Sequence, residues 1–169
     1  ESFFRPGIER TGTWNYGHQY ICWGIAETRS DLPGAPNEMS FYSTENSWTN
    51  EARTSDLRRY TMRLDGFVSV NAPMSGGEIV TRTFRFKGSK LSINFSTSAA
   101  GAVKVEIQDE KGVAIPGFAL KDIQPVFGDT IERIIEWKGG SNLGALSGKP
   151  IRLRFVLHDA DLYSFHFSD

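Results

Sequence analysis

The C-terminal part of the chain contains two consecutive runs in which apolar and polar residues alternate. The runs cover residues 150–157 and 162–167, and the polar segment 158–161 separates them. Every second position is apolar in each run: Ile151, Leu153, Phe155 and Leu157 in the first, and Tyr163, Phe165 and Phe167 in the second. A period of two is typical of a strand with one buried face. Both runs are therefore predicted to be strands, which makes a helical fold for this part of the chain untenable.

Similar short runs recur along the rest of the chain and are separated by turn residues. We count roughly ten to twelve of them, and no long amphipathic helical pattern, which is typical of a sandwich or barrel. The sequence thus predicts an all-β fold, an antiparallel β-sandwich of jelly-roll type formed as one domain over residues 1–169. Because a softer boundary lies near residues 71–73, the alternative is that residues 1–70 form an N-terminal extension or part of a neighbouring domain.

Composition excludes several classes of function. The formal net charge is -1, so the chain has no overall field that would attract nucleic acid. No apolar stretch approaches the roughly 18 residues that a membrane span needs, and neither nucleic acid nor membrane is expected as a partner. The chain begins at Glu1 without a signal peptide, which predicts a processed piece of a longer polypeptide.

Cysteine usage limits the covalent chemistry of the chain. Cys22 is the single cysteine, so neither an internal disulfide nor a cysteine-based zinc cluster can form. It lies in the strand-like run 18–27, which is apolar on both faces, so we predict a buried thiol. The tryptophans in apolar runs, Trp23 and Trp137, are predicted to lie in the core.

Aromatic residues in polar, glycine-flanked segments are the strongest candidates for ligand binding. Trp14 and Tyr16 stand with His18 in one such segment, and Trp48 stands among residues with hydrogen-bonding side chains. A flat exposed ring beside polar side chains suits the apolar face of a sugar ring. The alternative is that these rings close the end of the sandwich.

Two arginines suggest a preference for acidic or sulfated glycans. Arg59 and Arg63 project from the same face of the strand predicted over residues 57–64. The planar guanidinium group binds carboxylate and sulfate through paired hydrogen bonds. The alternative is a solvated strand face that pairs with acidic residues of a neighbouring strand.

Metal and cofactor signals are weak. No cofactor is expected, and His18, His158 and His166 lack the spacing of a metal site. Asp159 and Asp161 lie in the predicted turn, where they are candidates either for a structural calcium ion or for capping the turn backbone.

Catalytic signals are also weak. The sequence lacks the nucleophile, zinc, phosphate-loop and dinucleotide motifs. Glu27, Glu38 and Glu45 lie near aromatic residues and are candidates for a glycosidase pair. A lyase set of His18, Tyr20 and Arg63 is a further alternative.

Three stretches resemble the C-terminal region of bacterial secreted proteins of glycoside-hydrolase-like type. They are residues 23–28 together with 36–45, residues 57–70, and residues 148–165. The resemblance implies an upstream five-bladed propeller akin to glycoside hydrolase families 32 and 43, followed by a β-sandwich accessory domain. It also implies a secreted or periplasmic location.

Together these observations predict a non-catalytic carbohydrate-binding module, accessory to a glycoside hydrolase. Its expected partners are a polysaccharide or oligosaccharide and the upstream catalytic domain. The binding residues are predicted to be Trp14, Tyr16, His18, Trp48, Arg59 and Arg63. Two alternatives are a structural accessory domain without a ligand and a polysaccharide hydrolase or lyase.

Overall fold

The computed structural model describes residues 19–45 and 55–169. The backbone divides into two compact units, Glu1–Leu64 and Asp65–Asp169. The described residues form nine strands, arranged in two antiparallel sheets, and one short 3-10 helix. The predicted all-β fold is confirmed, with nine strands in this part of the chain instead of the ten to twelve expected.

The sheet of the first unit is built around one central strand. Its strands are β1 (Tyr20–Ile21), β2 (Ala26–Thr28), β3 (Glu38–Glu45) and β4 (Asp56–Arg63). β4 pairs with one edge of β3, while β1 and β2 pair with the two ends of its other edge. The predicted alternation in β4 is confirmed, since Arg59 and Arg63 lie opposite Tyr42 and Glu38 on one face.

One face of this sheet holds a small cluster around Tyr60. The Tyr60 ring stacks on buried Phe41 with 6.0 Å between ring centroids. The Tyr60 hydroxyl donates a hydrogen bond to Glu45, whose other carboxylate oxygen lies 2.8 Å from Nε of Arg58. That hydrogen bond, with burial as the second cause, raises the pKa of Tyr60 above 10.0. The Tyr60–Glu45 hydrogen bond thus joins β4 to β3 on this face.

The second unit is built around two long antiparallel strands. Its strands are β5 (Val70–Ala72), β6 (Gly77–Val80), β7 (Lys90–Gln108), β8 (Asp129–Ile134) and β9 (Arg152–Ser168). β7 pairs with β9 over most of its length, β8 pairs with β7, and β5 and β6 pair with β9. A 3-10 helix, Gly144–Leu146, lies in the connection before β9.

Both long strands bend at the same place, and the sheet curls around a single core. Residues 98–101 of β7 bulge opposite Asp159, whose φ is 41°. The two predicted C-terminal strands are thus halves of β9, because segment 158–161 makes a bend within a strand and not a loop. Both halves of each strand contribute buried side chains: Leu91, Ile93, Phe95, Val103, Val105, Ile107, Leu153, Phe155, Leu157, Ala160 and Leu162.

Three predictions for the N-terminal strand run were wrong. The run at residues 18–27 is not a strand buried on both faces, since β1 and β2 are separate, short and largely exposed. Cys22 is half-buried, and Trp23 is fully exposed (103%). The physical reason is that residues 22–25 leave the regular pairing with β3, so the run does not form one continuous strand. The other tryptophan predicted to lie in the core, Trp137, is buried.

The Asp65–Gly66 turn follows the last strand of the first sheet and leads into the second unit. Asp65 adopts a φ of 59°, as a tight turn allows, but the strands before and after it belong to different sheets. The turn marks the division between the two units, in place of the softer boundary expected near residues 71–73. Val70–Ala72 forms β5, which pairs with β9.

A buried carboxylate is held in place by donors on three sides. Glu106, 7% exposed, accepts hydrogen bonds from Gln108 Nε2 at 2.8 Å and from the Leu120 backbone N–H at 3.0 Å. Nη1 of Arg154 lies 3.5 Å from it, while Nη2 of Arg154 lies 2.6 Å from Glu78. Burial acts to raise the pKa of Glu106, but these hydrogen bonds and the positive charge outweigh it and lower the pKa below 4.5.

We expect Glu106→Gln to lower the free energy of unfolding at neutral pH by about 1–3 kcal/mol, because charged hydrogen bonds are lost. When a carboxyl group has a lower pKa in the folded than in the unfolded state, its ionised form stabilises the fold at pH values above the unfolded-state pKa. That stabilisation is lost as the pH falls through the folded-state pKa. The variant should therefore lose less stability than the wild type when the pH falls below 4.5. Urea unfolding at neutral and acidic pH measures both effects.

Glu110→Gln is the matched control, because Glu110 is exposed in the turn after β7. It should unfold like the wild type at both pH values. If Glu106→Gln lost as much unfolding free energy at acidic pH as the wild type, the role given to Glu106 would be contradicted.

Candidate functional site

Four of the six predicted binding residues lie outside the described residues: Trp14, Tyr16, His18 and Trp48. Their role as sugar-stacking and polar groups stays a prediction. The other two, Arg59 and Arg63, lie on β4, where the strand alternation puts them on the same face.

Arg59 is engaged by acceptors within its own unit. Its Nε donates to Ser40 Oγ at 2.8 Å, and its Nη1 donates to Asp31 at 3.0 Å. Its Nη2 has three acceptors, the side chains of Thr28 and Glu38 at 2.9 and 2.8 Å and the Arg29 carbonyl oxygen at 3.1 Å. An anionic glycan would have to displace two carboxylates from this group. The contacts favour the alternative reading, a strand face that pairs with acidic neighbours.

The three candidate glycosidase carboxylates all have hydrogen-bond donors. Glu27 accepts from Asn37 Nδ2 at 2.8 Å, Glu38 accepts from Arg59, and Glu45 accepts from Tyr60 and Arg58. Among them, the Glu27–Asn37 pair is the one on the surface. Each of the three carboxylates thus takes part in a hydrogen bond within the first unit.

The two aspartates that are candidates for calcium both lie in the bend of β9, where they make different contacts. Asp161 accepts hydrogen bonds from Ser69 Oγ at 2.6 Å and Asn71 Nδ2 at 3.1 Å. The backbone N–H of Asp159 donates to the Pro73 carbonyl oxygen at 3.1 Å. Asp161 thus fastens the segment around β5 to β9. Within residues 19–45 and 55–169, no group of three or more metal-ligating side chains is present.

The most exposed aromatic side chain of the described residues belongs to Trp23. Ile21 lies opposite Ser43 and Ala26 lies opposite Ser40, so residues 22–25 face only two residues of β3. We call residues 22–25 the Trp23 bulge. A bulge redirects side chains away from the regular alternation, and such bulges are frequent beside functional sites. Here it directs Trp23 into solvent.

Local backbone geometry holds the Trp23 bulge in place. The Cys22 N–H donates to the Tyr42 carbonyl oxygen at 2.8 Å, which anchors the start of the bulge on β3. Gly24 has a φ of 95°, a conformation that only glycine adopts readily. The indole is therefore presented by an ordered backbone, with half-exposed Tyr20 on the preceding strand.

Sequence reasoning missed Trp23 because its neighbours are apolar. Cys22, Ile21 and Ile25 resemble a core strand, which favours burial. Gly24 was the available signal, since an isolated glycine within a strand pattern suggests a bulge. The pattern could not show which side chain the bulge would expose.

Comparison with protein-family models, curated proteins and solved structures finds no match to this chain. In the described part of the chain, no helix is long and apolar enough to cross a membrane.

Proposed function

We propose that this protein is a non-catalytic carbohydrate-binding module that holds a polysaccharide by stacking sugar rings on exposed aromatic side chains. The observation that carries the proposal is the complete exposure of the Trp23 indole on an anchored bulge. Exposing so large an apolar surface is unfavourable unless a partner covers it. A ring held by ordered backbone also loses little conformational freedom on binding.

The chemistry around the bulge suits a sugar. A pyranose has apolar C–H groups on its faces, which pack on an aromatic ring, and hydroxyl groups at its rim, which need hydrogen-bonding partners. Further along the chain, the exposed Glu27–Asn37 pair offers both a carboxylate and an amide. Trp14, Tyr16, His18 and Trp48 remain proposed contributors. A shallow site of this kind gives about 4–8 kcal/mol, or millimolar to micromolar affinity.

The partners and the location that we propose rest on the sequence resemblance alone. The module would be secreted or periplasmic and would belong to a polypeptide with a catalytic domain upstream. Its ligand would be a polysaccharide or oligosaccharide that this catalytic domain degrades.

We expect Trp23→Ala to weaken glycan binding about tenfold or more, because the stacking surface is lost. Its melting temperature should stay close to that of the wild type, since an exposed side chain contributes little to folding. The measurement is affinity electrophoresis of the full chain in gels that contain hydroxyethylcellulose, xylan, galactomannan or a sulfated galactan.

Leu57→Ala is the matched control, because Leu57 is an exposed apolar residue of the same unit. It should be retarded like the wild type. Trp14→Ala and Trp48→Ala in the same gels test the other predicted rings. The proposal is abandoned if the wild type is retarded by none of these polysaccharides, or if all three tryptophan variants bind as the wild type does.

A structural accessory domain is the second candidate function, and one observation favours it. Besides Trp23, the aliphatic side chains of Ile21, Ile25 and Leu32 are exposed in the first unit. Aliphatic surface suits a protein partner better than a hydrophilic glycan. Absence of retardation of the wild type in every gel is the result that this function predicts.

A further inference from the structure

A groove in the second unit contains none of the ligand-binding residues predicted from the sequence. It has a volume of about 250 Å³ and opens to solvent. Pockets for drug-sized ligands measure about 300–1,000 Å³, so this groove suits a smaller group such as one or two sugar rings. One wall is the segment 122–126 and the other is the chain after the middle of β8, residues 133–138.

The walls of the groove are tied to each other and to the sheet. The Lys138 N–H donates to the Asp122 carbonyl oxygen at 2.7 Å, and Ile123 forms a bridge with Trp137. Val126 exchanges two backbone hydrogen bonds with Val103 of β7, at 2.8 and 2.9 Å. The groove is therefore preformed, and a ligand would not have to order it.

The floor is formed in part by Trp137, which is itself fixed. Its indole N–H donates to the Val105 carbonyl oxygen at 3.0 Å, and Phe118 packs edge-on against its ring at 5.3 Å. Apolar surface from Val126 and Ile134 continues the lining. Because Trp137 is only 4% exposed, Val126 and Ile134 supply the accessible apolar surface, which suits the C–H face of a sugar ring.

Four side chains that line the groove make no hydrogen bond or ion pair with any described residue: Gln124, Arg133, Glu136 and Lys138. They supply an amide, two cations and a carboxylate, and Asp122 adds a second carboxylate to the lining. The lining therefore has two positive and two negative side chains, and its formal net charge is zero. An anionic ligand would be attracted by the cations and repelled by the acids, whereas sugar hydroxyls can donate to the acids and accept from the cations.

An exposed ring stands next to the groove wall along the chain. Phe127 follows Val126 and is 73% exposed. The Gly128 N–H donates to Thr97 Oγ1 at 3.0 Å, and the Thr97 N–H donates to the Gly128 carbonyl oxygen at 2.8 Å. Hydrogen bonds of the flanking residues therefore hold this part of the loop in place while the phenylalanine ring faces solvent.

We propose that this groove, with Phe127 beside it, binds an uncharged saccharide. The ligand class rests on the proposed function, but the site does not, because the groove lies in a different unit from Trp23. The protein would then hold a polysaccharide at two places on the same chain. Linking two weak sites raises the overall affinity well above that of either site.

The test compares the double variant Gln124→Ala/Lys138→Ala with Lys111→Ala in the full chain. Lys111→Ala removes the same charge from an exposed turn outside the groove. The probes are hydroxyethylcellulose, xylan and galactomannan, with a sulfated galactan as the charged comparison, and the readout is retardation in affinity gels. We expect the double variant to bind an uncharged polysaccharide about tenfold more weakly, and Lys111→Ala to bind like the wild type.

Thermal melting shows whether the variants are folded, and Phe127→Ala gives a second change at the site that leaves the groove's charges in place. The groove inference is supported if the double variant and Phe127→Ala both bind more weakly while their melting temperatures are unchanged. This conclusion does not depend on the result for Trp23→Ala. If Trp23→Ala alone loses retardation, the proposed function stands and the groove inference is overturned. Retardation by the sulfated galactan alone overturns the uncharged ligand class, and retardation by no probe overturns both proposals.

Discussion

Phe155→Ala is expected to lower the free energy of unfolding by about 3–5 kcal/mol, because it removes a large side chain from a closely packed core. Phe155 is 1% exposed and lies in the first half of β9, opposite Val105 of β7 and Ile79 of β6. Its ring also packs against Phe165 from the other half of β9, with 5.5 Å between centroids. Truncation would leave a cavity where both halves of the curled sheet meet.

The matched control is Phe127→Ala, the same substitution at an exposed position. Because Phe127 packs on little, we expect its unfolding free energy to stay within about 0.5 kcal/mol of the wild type. Urea unfolding followed by circular dichroism measures both variants. If Phe155→Ala were no more destabilising than Phe127→Ala, the core described for the second unit would be wrong.

Gly101→Ala is expected to lower the unfolding free energy by about 1–3 kcal/mol, although it adds only one methyl group. A Cβ atom at Gly101 would lie 2.4 Å from the Asp159 carbonyl oxygen and 2.8 Å from the His158 carbonyl oxygen. Both are backbone atoms of β9 at its bend, so neither can rotate away as a flexible side chain would. Relief would require the two long strands to separate at the bend.

Gly139→Ala separates this clash from the general effect of replacing glycine. A Cβ atom there meets nothing within 4 Å, and its backbone is outside the left-handed region. This variant should be as stable as the wild type or slightly more stable, because alanine restricts the unfolded chain. Equal stability of Gly101→Ala and Gly139→Ala in thermal melts would contradict the close contact at the bend.

Alternation within strands is predicted correctly from the sequence where one face is buried. The apolar positions Leu153, Phe155 and Leu157 are all in the core, and Arg59 and Arg63 share a face of β4 as expected. These predictions succeed because the period of two follows from backbone geometry and holds for any strand. The order of strands in the sheets does not follow from it.

The bend regions show what such a pattern misses. The polar segment 158–161 favours a turn between strands, yet β9 continues through it with the left-handed residue Asp159. Likewise, the apolar run around Trp23 favours burial, although a bulge against β3 exposes the ring. In both places pairing with a distant strand decides the outcome, and a local pattern carries no information about it.

The candidate sites were likewise predicted only in part from the sequence. Aromatic stacking as a mode of binding is inferred from the sequence, but the two most exposed rings of the described residues are Trp23 and Phe127, which lie in an apolar run and in a loop. The groove brings Gln124 together with Arg133 and Lys138, residues that have no shared motif. Such groups meet only because segment 122–126 is bonded to the chain after β8.

By itself, the sequence therefore determined the all-β class, the buried faces of the regular strands and the absence of known catalytic motifs, since each depends on local periodicity or on residue type. The tertiary structure decided the division into two units after Leu64 and the continuity of β7 and β9 through their bends. It also decided the ion pairs that Arg59 forms with its acidic neighbours. These features depend on which distant segments pair. Long-range hydrogen bonding and packing select that pairing among many arrangements that the same local pattern allows.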